Sequence, residues 1–196
     1  MSMRFACVCA SNVNRSMEGH RVLKRNNYNV SSYGTNELIK IPGPNNSPMS
    51  YDFGTTYQEI LDDMDKKSRE FYESEGLMDM MRKNSEVKPK AEKFDSTFNS
   101  ATRAYFDVIF TYKRDPIMDK VLTEFHEHGN KEYRLCHIIN IETEDTISNA
   151  LTSGTYTLKL AQRISDCKNI TEQIEQIVDD FNNNMNNVLT LHIVSY

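Results

Sequence analysis

Short apolar runs along the chain alternate with longer stretches in which apolar positions recur every three or four residues. That alternation predicts an α/β fold, in which strands feed helices that pack back onto the sheet. Arg4–Cys9 reads as a first strand, bounded by the polar Ser11-Asn12-Val13-Asn14. Ser16–Asn26 reads as a helix with Met17 and Leu23 on one side and basic residues on the other. Tyr28–Tyr33 is a second strand, broken by Gly34, and Glu37–Ile41 a short extra strand stopped by Pro42-Gly43-Pro44. Asn45–Ser50, with Pro48 inside it, reads as loop.

From Thr55 to Asn84 the pattern turns helical, with Tyr57, Ile60, Leu61 and Met64 on one face and Leu77, Met80 and Met81 in a second piece. Lys83–Lys93, with Pro89, reads as a basic surface connection. Phe106–Thr111 is the third clear strand, and Pro116–Glu127 a helix with proline in its first turn. Leu135–Ile141 is the fourth strand. Thr146–Cys167 follows as a long helix presenting Ile147, Ala150, Leu151, Leu158, Ala161 and Ile164. Ile170–Phe181 is a last amphipathic helix, broken by the Asn-rich stretch Asn182–Asn187, and Leu189, Leu191 and Ile193 alternate as a terminal strand. The expected architecture is a mainly parallel sheet of four or five strands with helices on both faces, in one domain spanning residues 1–196.

Composition narrows the function classes. A chain of 196 residues is long enough for one well-buried core. Its net charge of −5 disfavours a sequence-independent nucleic-acid binder, which needs a basic face. No run approaches the ~20 apolar residues of a membrane span, and the apolar run Phe5–Ala10 is too short for a signal peptide. The expectation is a soluble, monomeric intracellular protein with no membrane or direct nucleic-acid partner. Cys7, Cys9, Cys136 and Cys167 show neither disulfide density nor metal-ligand spacing, and His126-Glu127-His128 reads as a solvated helix end. No metal and no cofactor is expected.

Candidate chemistry lies at the first strand–helix turn, where open α/β sheets bind ligands. Cys9 ends the strand, and Arg15 stands six positions later at the helix mouth. The five residues between them, Ala10, Ser11, Asn12, Val13 and Asn14, can curl their N–H groups around one anion beside the helix N-terminus. Arg15 can then grip two phosphate oxygens with its planar fork. Such an environment favours the thiolate form of a cysteine, which attacks phosphorus and forms a phosphocysteine intermediate. Ser16 can hydrogen-bond the thiolate. Asn12 and Asn14 suit left-handed backbone and local side-chain bonds. Cys7, one layer deeper on the same strand face, reads as core.

The loop Cys9–Glu18 (CASNVNRSME) resembles that of the low-molecular-weight protein tyrosine phosphatases. With Ser32–Thr35 (SYGT), Lys40–Pro44 (KIPGP), Tyr51–Phe53 (YDF), Glu70–Tyr72 (EFY), Phe106–Thr111 (FDVIFT) and Leu191–Tyr196 (LHIVSY), the chain more closely resembles another family. These are the eukaryotic phosphoserine phosphatases of the RNA polymerase II C-terminal domain, which associate with symplekin in mRNA 3′-end processing. The resemblance implies a nuclear enzyme acting on the fifth-position phosphoserine of the heptad, with the following proline in cis. It also implies a hairpin and helical cap over residues 36–84 that forms the substrate groove. By position, Cys9 is the nucleophile, Arg15 the phosphate clamp and Ser16 the thiolate partner. Met17, Lys40, Ile41, Pro42, Tyr72 and Met80 line the groove, although helix-face packing also accounts for Tyr72 and Met80.

A serine leaving group needs an acid to protonate its oxygen. The family carries its acid in a segment TCEER-x-x-D. Here the segment is Thr111-Tyr112-Lys113-Arg114-Asp115-Pro116-Ile117-Met118-Asp119, one residue longer and without the glutamates. Asp119 matches best through Lys120-Val121; Asp115, in an Asp-Pro pair like that of the tyrosine phosphatases, is the alternative, or else a helix cap. Two other functions remain open at this point. One is a phosphotyrosine phosphatase or arsenate reductase, although the latter needs further cysteines near the loop. The other is a weakly active paralogue that serves as a symplekin-binding scaffold.

Overall fold

In the computed structural model of the protein, the described residues are 3–98, 103–129, 134–184 and 189–196. Among the described residues, seven strands and six helices follow one another as β1 (Arg4–Cys9), α1 (Arg15–Arg25), β2 (Asn29–Gly34), β3 (Ile39–Ile41), β4 (Met49–Tyr51), α2 (Tyr57–Ser74), α3 (Leu77–Val87), β5 (Val108–Thr111), α4 (Asp119–His128), β6 (Leu135–Ile141), α5 (Ile147–Asp166), α6 (Ile170–Asn184) and β7 (Leu189–Ser195). The main sheet has the order β2-β1-β5-β6-β7. Its first four strands are parallel, and only β7 runs antiparallel, against β6. This is the mainly parallel sheet expected from the alternating pattern. Met185–Val188, part of the Asn-rich stretch, lie outside the described residues.

β1 sits between β2 and β5, so it is buried on both faces: Phe5, Ala6, Cys7 and Val8 are all fully covered. Its continuous apolar run is what a central parallel strand requires. α1 packs closely against α5, where a Cβ added at Gly154 would come within 2.9 Å of Glu18 Cγ, and more closely still against the sheet side. A Cβ added at Gly19 of α1 would strike Tyr112 Oη and come within 2.9 Å of Cys7 Sγ. Only the bare backbone of glycine fits there.

Between β2 and β5 lies a second structure with its own core. The two-stranded β3–β4 hairpin, α2 and α3 bury Ile39, Ile41, Met49, Tyr57, Ile60, Met64, Tyr72 and Met81, and they enclose Val13 and Met17 from the first strand–helix turn and α1. A Thr56–Glu59 capping box opens α2. Gly76, at φ 71°, turns the chain between α2 and α3.

Four readings of the pattern need correction. Met49–Tyr51, inside a stretch that reads as loop through Ser50, is a strand because its backbone pairs with Ile39–Ile41. Lys83–Lys93 is not simply a surface connection: α3 runs to Val87, and the following segment docks inward, with Ala91 and Phe94 almost fully buried. Pro116 does not open a helix. Asp115 is extended at φ −103°, ψ 123°, the Asp115–Pro116 bond is cis, and α4 begins only at Asp119. Finally, α5 buries the small residues Ser153, Gly154 and Thr157 where α1 approaches, leaving Ile147 and Leu151 exposed. Among the described residues, no helix is long and apolar enough to cross a membrane.

Candidate active site

β1 delivers Cys9 to the carboxyl edge of the sheet, 3% exposed, and α1 begins six residues later at Arg15. The intervening turn folds tightly because its polar groups are bound from outside. Asn12 takes left-handed angles, φ 54°, and is fully buried. Its Nδ2 donates to Ser16 Oγ at 2.9 Å, while its Oδ1 accepts the Glu92 N–H at 3.1 Å. Ser16 Oγ lies 3.0 Å from Cys9 Sγ. Asn14 makes no side-chain cap on α1; its amide turns instead to Asp145, 3.0 Å away. The first-turn N–H groups of α1 are therefore not closed by a side chain of their own. That is the condition under which a helix mouth attracts an anion.

Arg15 is 3% exposed and fixed from three directions. One terminal nitrogen donates to the carbonyls of Tyr112 and Thr143, both at 3.1 Å, just beyond the ends of β5 and β6. The other pairs with Asp145 at 3.0 Å. Its Nε is buried and has no hydrogen-bond partner. A buried guanidinium nitrogen not used by the protein's own acceptors is one that a bound oxyanion can satisfy.

Behind the loop stands Lys88, whose Nζ donates to Ser32 O at 2.6 Å and to Glu92 at 2.9 Å. Burial pushes its pKa down from the ordinary lysine value, while Glu92 and Cys9 act in the opposite sense. A cation held there favours negative charge at the end of β1. Cys7, by contrast, is fully buried with its sulfur against Tyr112 Oη at 3.4 Å, and burial pushes its thiol up to about 12. That is the profile of an inert core cysteine.

The structure brings Cys9, Ala10, Ser11, Asn12, Val13, Asn14, Arg15 and Ser16 into one closed turn. The residues expected to line a groove divide. Lys40 and Pro42 are exposed and Met80 half-buried, whereas Met17, Ile41 and Tyr72 are core residues, each 1% exposed. Met17 and Met80 nevertheless border one cleft, of about 60 Å³, beside Asn14 and Asn84. Asp115 and Asp119 are both exposed, and neither carboxylate hydrogen-bonds the loop among the described residues. Asp115 is not a helix cap, since Met118 precedes α4. The next residue after Asp119, Lys120, donates to Thr35 O at 3.2 Å, and Thr35 N–H in turn bonds the Cys9 and Ala10 carbonyls at 3.0 Å. This ties the start of α4 to the base of the loop. The extra residue before Asp119 falls in a wide turn closed by Met118 N–H on Lys113 O, a single π-type turn of the kind that absorbs an insertion.

Four contributors escape the sequence: Tyr57, Asn84, Lys88 and Asp145. Tyr57 Oη donates to Asn12 O at 2.6 Å and Asn84 Nδ2 to Val13 O at 2.7 Å. All four act through partners 45 to 130 positions away in the chain. Local pattern carries no signal for such pairs. Among the described residues, no group of three or more His, Cys, Asp or Glu is placed to hold a metal ion.

A mainly parallel sheet that presents a cysteine and a buried arginine from one turn at its first helix mouth defines an α/β protein with a cysteine–arginine turn at the carboxyl edge of its sheet. The chain belongs to the Ssu72-like protein family, whose profile matches residues 3–196. It is 34% identical over 178 residues to the human RNA polymerase II C-terminal domain phosphatase SSU72 like protein 5, covering 90% of this chain and 89% of that one. It is 32% identical over 180 residues to the Xenopus laevis RNA polymerase II C-terminal domain phosphatase SSU72, covering 91% and 90%. Among solved structures, the serine phosphatase of the RNA polymerase II C-terminal domain from Drosophila melanogaster superposes over the full length of both chains with a TM-score of 0.92 at 30% identity. D. melanogaster Ssu72 with symplekin, bound to a cis peptidomimetic of the C-terminal domain phosphorylated on the fifth-position serine, gives 0.92 at 28% identity over 100% of this chain and 99% of that one.

Proposed function

We propose that the protein is a cysteine-dependent serine phosphatase acting on phosphorylated RNA polymerase II C-terminal-domain heptads at the fifth-position serine. The observation that carries this reading is the contact of Cys9 Sγ with Ser16 Oγ at 3.0 Å, inside a turn whose arginine has a buried Nε without an acceptor. The full-length likeness to relatives named for this activity supports the substrate class.

In the first step the Cys9 thiolate attacks phosphorus, an S–P bond forms and the P–O bond to serine breaks. The leaving oxygen takes a proton from Asp119 at the start of α4. Arg15 and the turn's N–H groups hold the three non-bridging oxygens, whose charge grows as the bonds exchange. In the second step water attacks phosphorus and gives a proton to the Asp119 carboxylate left by the first step, the S–P bond breaks, and the thiolate returns to the hydroxyl of Ser16. Exposed Lys40 and Pro42, with half-buried Met80, supply the wall along which the peptide lies, over the cap of residues 36–84. A symplekin-type partner and a nuclear site of action go with this substrate, and the chain acts as a monomer.

The test is hydrolysis of a heptad phosphopeptide carrying phosphate on the fifth-position serine. The expected result is release of phosphate by the parent chain, with Cys9→Ser inactive yet still binding the peptide. Preference for phosphotyrosine over phosphoserine peptides overturns the serine assignment. Binding of symplekin with no turnover of any phosphopeptide makes the chain a scaffold.

A further inference from the structure

We infer that the two helices of the cap hold the phosphate turn in its anion-binding shape, with Tyr57 and Asn84 as positioning residues for the proposed reaction; the inference rests on the reading of this turn as an oxyanion site. In a trans peptide the C=O and N–H point in opposite directions. Fixing one carbonyl outward therefore fixes the next residue's N–H inward. Tyr57, the first residue of α2, binds the Asn12 carbonyl at 2.6 Å, and this sets the direction of the Val13 N–H. Asn84, on α3, binds the Val13 carbonyl at 2.7 Å, and this sets the direction of the Asn14 N–H. Both donors are buried, Tyr57 fully and Asn84 at 5% exposure, so neither bond competes with bulk water.

The neighbouring carbonyls are bound elsewhere. Those of Cys9 and Ala10 take the Thr35 N–H, and that of Asn14 takes the Glu18 N–H inside α1. The two peptides at the crest of the turn depend on the cap helices. The first of them begins at Asn12, which sits at φ 54°. A non-glycine residue there persists only where its surroundings over-determine it. A flip of the Asn12–Val13 peptide, which turns ψ of Asn12 and φ of Val13, would point the Asn12 carbonyl toward the bound anion. An independent observation points the same way: the Val13 and Met17 side chains are part of the cap's apolar core, 4% and 1% exposed. The cap thus grips the turn by two carbonyls and by the side chains of Ser11, which accepts the Lys40 N–H at 3.1 Å, Val13 and Met17. Contacts that a substrate makes with the cap are thereby mechanically linked to the geometry of the oxyanion site.

The experiment measures tungstate affinity of the full chain by calorimetry, together with kcat and KM on the phosphoserine heptad peptide. The variants are Tyr57→Phe, Asn84→Leu and Ile60→Val. Ile60 is buried in the same cap core, and its side chain offers the turn no hydrogen bond. We expect Tyr57→Phe and Asn84→Leu each to raise the tungstate Kd roughly 3- to 10-fold, the worth of one buried hydrogen bond. kcat should fall in parallel, with little change in KM. Ile60→Val should lower the Tm while leaving the tungstate Kd within about twofold, a change of less than 1 kcal/mol. If Tyr57→Phe and Asn84→Leu lower the Tm but leave tungstate affinity and kcat unchanged, both are merely structural and the inference is overturned. It is likewise overturned if the parent chain binds no tungstate at millimolar concentration. A parent that binds tungstate but hydrolyses no phosphopeptide refutes the phosphatase reading alone, and the tungstate series still decides the role of the cap.

Discussion

Ser16 Oγ lies 3.0 Å from Cys9 Sγ and at the same time accepts the Asn12 amide at 2.9 Å. An amide nitrogen only donates, so the serine hydrogen is left for sulfur. The residue is therefore built to stabilise a thiolate, and a thiolate is the leaving group when the phosphocysteine is hydrolysed. Ser16→Ala removes one hydrogen bond to a charged atom, worth about 1.5–3 kcal/mol. The expected loss in kcat is about 10- to 100-fold, falling on breakdown of the intermediate. Rapid-quench kinetics should then show a burst of serine-peptide release ahead of phosphate. A variant with parental kcat and no burst refutes this assignment.

The acid is tested by contrast between leaving groups. A serine alkoxide needs a proton as the P–O bond breaks, whereas an aryl phosphate with a good leaving group does not. Asp119→Asn should lower kcat on the phosphoserine peptide by about 10²–10⁴ and alter turnover of an aryl phosphate far less. Lys120 ties the start of α4 to Thr35, which bonds the Cys9 carbonyl. Asp115 sits in the wide turn ahead of it, held through Arg114 N–H on Glu142 at 3.0 Å. Should Asp115→Asn show the selective loss and Asp119→Asn not, the acid belongs to the Asp-Pro pair.

The contact of α1 with its neighbours is testable at Gly19. A methyl group there meets Tyr112 Oη, which cannot swing aside because it also bonds Thr157 at 2.9 Å and Cys7 at 3.4 Å. Gly→Ala within a helix favours folding by up to about 1 kcal/mol, while overpacking costs about 1–3 kcal/mol. We expect net destabilisation of Gly19→Ala in urea titration, with Tyr112→Phe in the same chain restoring part of it by making room. A Gly19→Ala protein as stable as the parent shows that α1 can shift, and the close approach is then not limiting.

Much of this structure is legible in the sequence because it is local. The strand-then-helix alternation gives the parallel sheet, and the Cys9-to-Arg15 spacing marks the first strand–helix turn at its carboxyl edge. What escapes is set by distant partners. Lys88 lies in a basic run that looks solvated, yet it is buried because Ser32 O and Glu92 satisfy its ammonium. Tyr57 reads correctly as part of an apolar helix face, but nothing nearby announces that its hydroxyl holds Asn12. The buried face of α5 is misjudged for a different reason. Counting apolar residues selects Ile147 and Leu151, whereas close approach to α1 selects the small Ser153, Gly154 and Thr157. Periodicity reports hydrophobicity, and here the packing distance decided.

His20 gives the fold a pH dependence whose sign is fixed by burial. It is 6% exposed on α1, with Nδ1 2.8 Å from Ser32 Oγ. Burial, then the nearby Lys88 and Lys24, lower its pKa to about 3. The unfolded chain binds a proton at His20 near pH 6.5, and the folded chain does not until about pH 3. Its contribution to stability is therefore complete above pH 6.5 and is lost progressively as pH falls through that window. The slope is about 1.4 kcal/mol per pH unit, so on the order of 2 kcal/mol disappears between neutrality and pH 5. His137, whose pKa burial also lowers, adds in the same direction. His20→Gln keeps an amide for Ser32 and removes the titration. Urea unfolding between pH 7.5 and 5 should show a shallower fall for this variant, by about one proton. A pH dependence identical to that of the parent means that His20 becomes protonated in the folded state and that its environment is not the one described.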